Sequence, residues 1–289
     1  MGSSKALGGA GKLNTLIRQG RGRPLVMGVV NVTPDSFSDG NQLYSGRRPD
    51  LDKILFYVET LIKEGADILD VGGESTRPGA SFVSEREEID RVIPVVTALT
   101  ARFDVPLSVD TSSPEVITLA AAAGAALVND VRALRRPGAL QAAADCGLPI
   151  CLMHMQGDPN TMQQEPDYED VVAEVGQFLA ERVVACEAAG IDRGSLIIDP
   201  GFGFGKTLEH NLSLFRALPE LVAQGLPVMV GLSRKRIIGK VLGKPVFERV
   251  YGSIALALMA AERGACIVRV HDVAATVDVL TVLSAVLDS

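Results

Sequence analysis

The chain has no tryptophan, and aromatic residues make up only 4% of its 289 positions. A core of stacked rings is excluded; Val, Ile, Leu and Ala must build it. It has only three histidines and four cysteines. Cys146, Cys151, Cys186 and Cys266 form no C-x-x-C pair, and no H-E-x-x-H run occurs. That argues against a zinc cluster and a disulfide framework, and predicts buried free thiols in a reducing compartment, the cytoplasm. The longest apolar run, Val116–Val128, is 13 residues long and contains Thr118. It is too short to span a bilayer, so no membrane role is expected. Met1–Gly11 is rich in Gly and Ser without an apolar segment, which reads as a flexible tail rather than a secretory leader. A positive balance is missing too: the net charge is −7, and no basic footprint for nucleic acid is present.

What the chain does have is a rhythm. Short β-branched runs alternate with amphipathic Ala/Leu/Glu stretches from residue 25 to the end. The runs are Leu25–Asn31, Asp67–Val71, Pro106–Val109, Ala126–Asn129, Pro149–Met153, Ser195–Asp199, Pro227–Gly231 and Cys266–Val270. Continuous hydrophobicity without alternation marks strands buried on both faces, as in a parallel sheet. The intervening periodicity predicts helices over Leu51–Glu64, Ser84–Arg102, Pro114–Ala123, Gly138–Asp145, Asp167–Ala189, Glu209–Ala223, Phe247–Arg263 and Ala274–Leu287, most stopped by a Gly. A shorter helix is predicted near Arg236–Leu242. Eight such units fit a single-domain (β/α)8 TIM barrel over residues 25–289; a doubly wound open sheet is the alternative. Leu13, Leu16 and Ile17, within the leading segment 1–24, suit a short helix under the barrel.

Active sites of such barrels lie at the C-terminal strand ends. Those ends carry Asn31, Asp70, Asp110, Asn129, Met153-His154, Asp199, Ser233-Arg234-Lys235 and Arg269-Val270-His271. A single Asp at a strand end usually caps a helix or a turn. Polar groups on all eight strands of one rim instead indicate a ligand. Asp110, Asn129 and Asp199 are acceptors suited to the N–H edge of a guanidine-like heterocycle. Arg77, Lys235, Arg269 and His271 suit an anion. Together they suggest a heterocycle carrying a charged group.

Several look-alikes fail. Pro200-Gly201-Phe202-Gly203-Phe204-Gly205-Lys206-Thr207 puts Pro where a P-loop needs its first Gly, and misses G-x-G-x-x-G spacing. Ser233 has no G-x-S-x-G elbow. His210 reads as a solvated residue at a helix start, and His154 as a structural hydrogen bonder.

Asn31-Val32-Thr33-Pro34-Asp35-Ser36-Phe37-Ser38-Asp39-Gly40 resembles the first signature of the dihydropteroate synthase family. Asp70-Val71-Gly72-Gly73-Glu74-Ser75-Thr76-Arg77-Pro78-Gly79 resembles its second. Val109-Asp110-Thr111, Asn129-Asp130, Leu152-Met153-His154-Met155, Asp199 to Lys206, Ser233-Arg234-Lys235 and Arg269-Val270-His271-Asp272 are also similar, in order, across residues 25–289.

The resemblance implies a homodimeric, cytoplasmic transferase of folate biosynthesis. It would join 4-aminobenzoate to (7,8-dihydropterin-6-yl)methyl diphosphate, giving 7,8-dihydropteroate and diphosphate, with sulfonamides as competitors. It implies that Asp110, Asn129 and Asp199 hold the pterin, Met153 packs on it and Lys235 reaches its oxygen and ring nitrogen. Arg269, His271 and Thr76 would contact the diphosphate, and Asn31 would help bind Mg²⁺. Phe37, Arg77, Pro78, Phe204, Ser233 and Lys235 would surround the aminobenzoate. Asp110, Asp199, Lys235, Arg269 and His271 are the expected catalytic set. The role of Arg236, where some family members carry Ser, is open. The competing readings are a methyltetrahydrofolate-binding methyltransferase module, which should lack the aminobenzoate loops and the Arg-x-His pair, and a non-catalytic pterin-binding paralogue, which should have lost a matched residue. Loops 32–48 and 73–84, rich in Gly, Ser, Pro and Asp, are expected to order only when substrate binds.

Overall fold

A computed structural model describes residues 2–19, 22–33, 43–45, 48–75, 83–157, 162 and 166–287. Eight parallel strands form one sheet whose spatial order follows the chain: Leu25–Asn31, Ile68–Gly72, Leu107–Asp110, Leu127–Asp130, Ile150–Met153, Leu196–Asp199, Met229–Val230 and Ile267–Val270. The first strand pairs with the eighth, and a bridge between Ile198 and Val228 joins the sixth to the seventh. The ring closes, which is the expected barrel and excludes an open doubly wound sheet. A two-residue antiparallel ladder, Tyr44–Ser45 with Arg48–Pro49, is too short to leave any periodic signal.

The helices follow from their apolar stripes and caps. Leu51–Lys63 buries Ile54, Val58 and Leu61, spaced at one face of a helix. Asp50 caps it by accepting the Lys53 N–H at 3.2 Å. Gly65, at φ +97°, supplies the left-handed turn that ends it. Burial of three such side chains contributes roughly 1.5–3 kcal/mol each.

Some boundaries differ from expectation. The predicted helix Glu209–Ala223 is two, Leu208–Arg216 and Leu218–Val222. Pro219 has no N–H for the helix ladder, and its ring crowds the preceding turn. The helix predicted from Asp167 starts at Val171, because Asp170 takes the cap. The stretch predicted from Phe247 opens with a short 3₁₀ turn, Val246–Glu248, before Val250–Glu262. The N-terminal helix runs Gly2–Gln19, through the stretch read as a tail. The thiols are free, but only Cys151 and Cys186 are buried; Cys146 and Cys266 are half-buried.

Strand periodicity converts this fold into a site. Leu25, Met27, Ile68, Leu127, Cys151, Ile197, Met229 and Ile267 cluster with Leu13, while Leu16 and Ile17 pack alongside. This is an apolar floor inside the barrel, with the N-terminal helix against it. Side chains two apart on a strand share a face. One layer above the floor therefore come Asp70, Asn129, Met153, Asp199 and Arg269, two positions beyond Ile68, Leu127, Cys151, Ile197 and Ile267. The outward-facing partners, such as Val26, Leu69, Val128 and Ile198, bury against the helices.

Candidate active site

Apart from Asp70, the polar layer lines a cavity of about 640 Å³ at the C-terminal mouth of the barrel. Asn31, Asp110, Asn129, Met153 and Asp199 line it from the first, third, fourth, fifth and sixth strands. Phe204, Ser233, Lys235, Arg269 and His271 complete the group that the sequence singles out. Phe37, Thr76, Arg77 and Pro78, with most of the two loops expected to order on binding, lie outside the described residues.

One wall is apolar: Met153 packs with Val131, Met155 and Met162, and Phe204 lies against them. Such a surface fits the face of a flat ring. Opposite charges face it. Asp199, 4% exposed, accepts the Gly201 N–H at 2.7 Å. Burial raises its pKa; the charge of Lys235 is the main opposing influence. Burial pushes Lys235 down to about 8, with Asp199 opposing. Its ammonium donates to the Phe202 carbonyl at 2.5 Å and stands 4.6 Å from the centre of the Phe204 ring.

Asp110 lies near a second carboxylate. Burial, then the charge of Asp70, raises its pKa; Arg269 pulls the other way. Arg269 donates to Asp70 Oδ2 at 2.6 Å and to Asp110 Oδ2 at 3.0 Å. Burial opposes the charge on Arg269, but the two carboxylates more than offset it. Ser233 Oγ sits 3.1 Å from His271 Nδ1 and accepts the His271 backbone N–H at 3.2 Å. Arg234, between Ser233 and Lys235, has φ +58° and forms a two-point pair with Asp272 at 2.6 and 3.0 Å. That pair ties the seventh strand end to the eighth.

Two supporting groups carried no assigned role in the sequence. Lys206 is 3% exposed and donates to Gly201 O at 2.9 Å, Phe204 O at 3.0 Å and His154 Nδ1 at 2.9 Å. All three ammonium protons are used, so it cross-links the Gly-rich loop to the end of the fifth strand. Burial pushes it to about 7, and burial with the Lys206 charge pushes His154 to about 2. His154 is thus a neutral acceptor, the structural role expected of it. His210, expected to be solvated, is half-buried and closes a capping box with Thr207. Asp70 is the other group, fully buried with Oδ2 serving both Arg269 and the Asn129 amide. Its signal in the sequence is its position two residues beyond Ile68.

Glu88 lies under the loop that follows the second strand, close to Gly73. It is 2% exposed, and burial pushes it from 4.5 to about 7. A raised folded pKa means that stability falls as pH rises through this window, because only the unfolded chain ionises freely. At 1.36 kcal/mol per unit the cost approaches about 3 kcal/mol above pH 7. Glu88→Gln is expected to remove that slope, gaining up to about 3 kcal/mol at pH 8 and nothing near pH 4.5. Urea titrations at the two pH values check this; an equal effect at both contradicts it.

The barrel mouth thus pairs buried acceptors and a sulfur-lined wall with cationic side chains at its rim. The sequence profile of the pterin binding enzyme family matches residues 27–271. Dihydropteroate synthase from Escherichia coli (strain K12) is 53% identical over 266 residues, 92% of this chain and 93% of that protein. The Haemophilus influenzae dihydropteroate synthase is 54% identical over 262 residues, 91% of this chain and 94% of that protein. The Yersinia pestis dihydropteroate synthase with a sulfonamide drug superposes with a TM-score of 0.88 at 52% identity, covering 92% of this chain and 95% of that one. The Xanthomonas albilineans dihydropteroate synthase in complex with 7,8-dihydropteroate gives 0.82 at 52%, covering 92% and 95%. The chain belongs to the pterin binding enzyme family and, within it, to the dihydropteroate synthases, which are transferases.

Proposed function

We infer that this chain joins 4-aminobenzoate to (7,8-dihydropterin-6-yl)methyl diphosphate, releasing diphosphate. The observation that carries this reading is the convergence of Asp110, Asn129 and Asp199 with Lys235, Arg269 and His271 on one cavity. The three acceptors match the donor edge of the pterin, Met153 its face, and Lys235 its oxygen and ring nitrogen. Arg269 and His271 serve the diphosphate; the family resemblance adds Thr76, outside the described residues. Phe204, Ser233 and Lys235 serve the aminobenzoate; the family resemblance adds Phe37, Arg77 and Pro78, which lie outside the described residues.

No protein nucleophile is needed. The arylamine nitrogen lone pair forms the new C–N bond to the methylene. The C–O bond breaks, its electron pair leaves with the diphosphate, and the nitrogen loses one proton. Positive charge spreading from the methylene into the ring is stabilised by Asp110 and Asp199. Arg269 and His271 stabilise the departing charge. Holding both substrates in line contributes as much as about 7–11 kcal/mol.

Asn31 ends the first strand on the cavity wall, and its amide oxygen is a hard donor suited to Mg²⁺. Among the described residues, no group of three His, Cys, Asp or Glu could hold a metal ion. One protein oxygen fits an ion that takes its other ligands from diphosphate and water. When bound, Mg²⁺ would neutralise charge on the leaving group. Excess chelator is therefore expected to abolish turnover, restored by adding Mg²⁺; undiminished turnover contradicts this.

Tyr251, Val282 and Val286 are exposed on the neighbouring helices Val250–Glu262 and Val273–Leu287. Exposed apolar side chains on two packed helices support the proposed homodimer, for which sedimentation should give twice the chain mass. The free thiols suit a cytoplasmic setting, and no helix of the described residues is long and apolar enough to cross a membrane. Sulfonamides, as arylamines, would compete for the aminobenzoate position. The reaction is tested by mass spectrometry of the product: both substrates together should yield dihydropteroate, and either alone should yield none.

A further inference from the structure

The eighth strand carries Arg269 into the same polar layer as the carboxylates of the second and third strands. Its Nε donates to Asp70 Oδ2 at 2.6 Å, while its Nη2 donates to Asp110 Oδ2 at 3.0 Å. One guanidinium thus bridges two acids. Asp110 also lines the cavity, where it is the acceptor offered to the heterocycle. The ring's N–H donors and the Arg269 Nη2 compete for one carboxylate. Asp70 differs from Asp110 in two ways. It is fully buried, and it does not line the cavity. Its Oδ1 is buried with no hydrogen-bond partner, whereas Oδ2 already holds Arg269 and the Asn129 amide. An unsatisfied buried carboxylate oxygen costs energy in this state, and a second state that pairs it would account for its retention.

The Nε and Nη2 hydrogens lie on the same side of a guanidinium and match the two oxygens of one carboxylate. Nη2, once displaced from Asp110, can turn to the empty Oδ1 of Asp70. The two-point pair then uses one side of Arg269 and leaves Nη1 and the remaining Nη2 proton for an anion.

We propose that Asp70 is a positioning residue acting through Arg269, and that Arg269 exchanges Asp110 for a two-point pair with Asp70 when the heterocycle binds. This rests on the reading of the cavity as a pterin and diphosphate site. The consequence is a coupling between the two halves of the substrate, present even when they are separate molecules. The ring frees Arg269 for the anion, and by linkage the anion favours the ring.

The experiment is calorimetry on the full chain at fixed Mg²⁺. Inorganic diphosphate is titrated with and without saturating 6-hydroxymethylpterin, which carries the ring but no phosphate. In the native protein the pterin is expected to tighten diphosphate at least about fivefold, the lower end of usual coupling. In Asp70→Asn the pterin should still bind, through Asp110, Asn129 and Asp199. The gain in diphosphate affinity should fall below about twofold, because the freed guanidinium has no carboxylate to hold it. In turnover, that variant should lose kcat at least about tenfold while KM for 4-aminobenzoate stays within about twofold, a split that general loosening of the fold would not give. Equal diphosphate affinity with and without pterin in the native protein overturns the exchange, whatever the variant does. Full coupling retained in Asp70→Asn removes the role of Asp70. A native protein that binds no pterin overturns the reading of the site and this inference together.

Discussion

Asp199→Asn is expected to weaken pterin binding by at least about 2 kcal/mol, roughly thirtyfold, in a protein that still folds. Asp199 is held at the sixth strand end, buried, with one oxygen on the Gly201 N–H at 2.7 Å and Lys235 as its main countercharge. The amide keeps the shape and can still accept from Gly201. It presents a donor where the ring also presents donors, and this mismatch sits where water cannot repair it. The variant removes the negative charge that balances Lys235, so turnover should fall further than affinity. Calorimetry with the pterin, alongside thermal unfolding, separates the two effects. Near-normal affinity in a folded variant contradicts the assignment of Asp199.

The second large effect is expected at Gly201. Its φ is +68°, and a Cβ there would lie 1.8 Å from the carbonyl oxygen of His154. That oxygen is backbone at the end of the fifth strand and cannot step aside cheaply. Gly201→Ala should therefore cost about 2–5 kcal/mol, adding left-handed strain to overpacking. Relief of the clash must move the loop that carries Phe204 and the carbonyls clamped by Lys206, so turnover should drop even where the fold survives. Gly225 is the internal control: its φ is +81°, and a Cβ there would meet nothing within 4 Å. Gly225→Ala should lose only the conformational part, about 1–2 kcal/mol, with normal turnover. Urea titrations that give equal losses at the two sites would contradict this account of the loop.

The barrel was legible because its cause is repetitive. Eight β-branched runs, each followed by a helical stripe, can bury both faces of every strand in few ways. Elements whose cause is local and brief were not. The ladder at Tyr44–Ser45 has no period to read, and the break before Pro219 shows only if that proline is weighed against a strong surrounding pattern. That Asp110, Asn129, Asp199, Lys235 and Arg269 would meet at one cavity was legible because polar groups at the ends of so many apolar strands are unusual. The three-point use of Lys206 depends on two loop carbonyls and a histidine 52 positions away, which no local pattern encodes. The double engagement of Arg269 is similarly hidden, since Asp70 and Asp110 lie 199 and 159 positions before it.

The central claim is that the cavity transfers the pterin methylene from diphosphate to an arylamine nitrogen. The most direct measurement is diphosphate release from the pterin diphosphate with Mg²⁺, with and without 4-aminobenzoate. One diphosphate released for each 4-aminobenzoate consumed, with negligible release in its absence, is the predicted result. Release at the same rate without 4-aminobenzoate, or none with both substrates present, would contradict it.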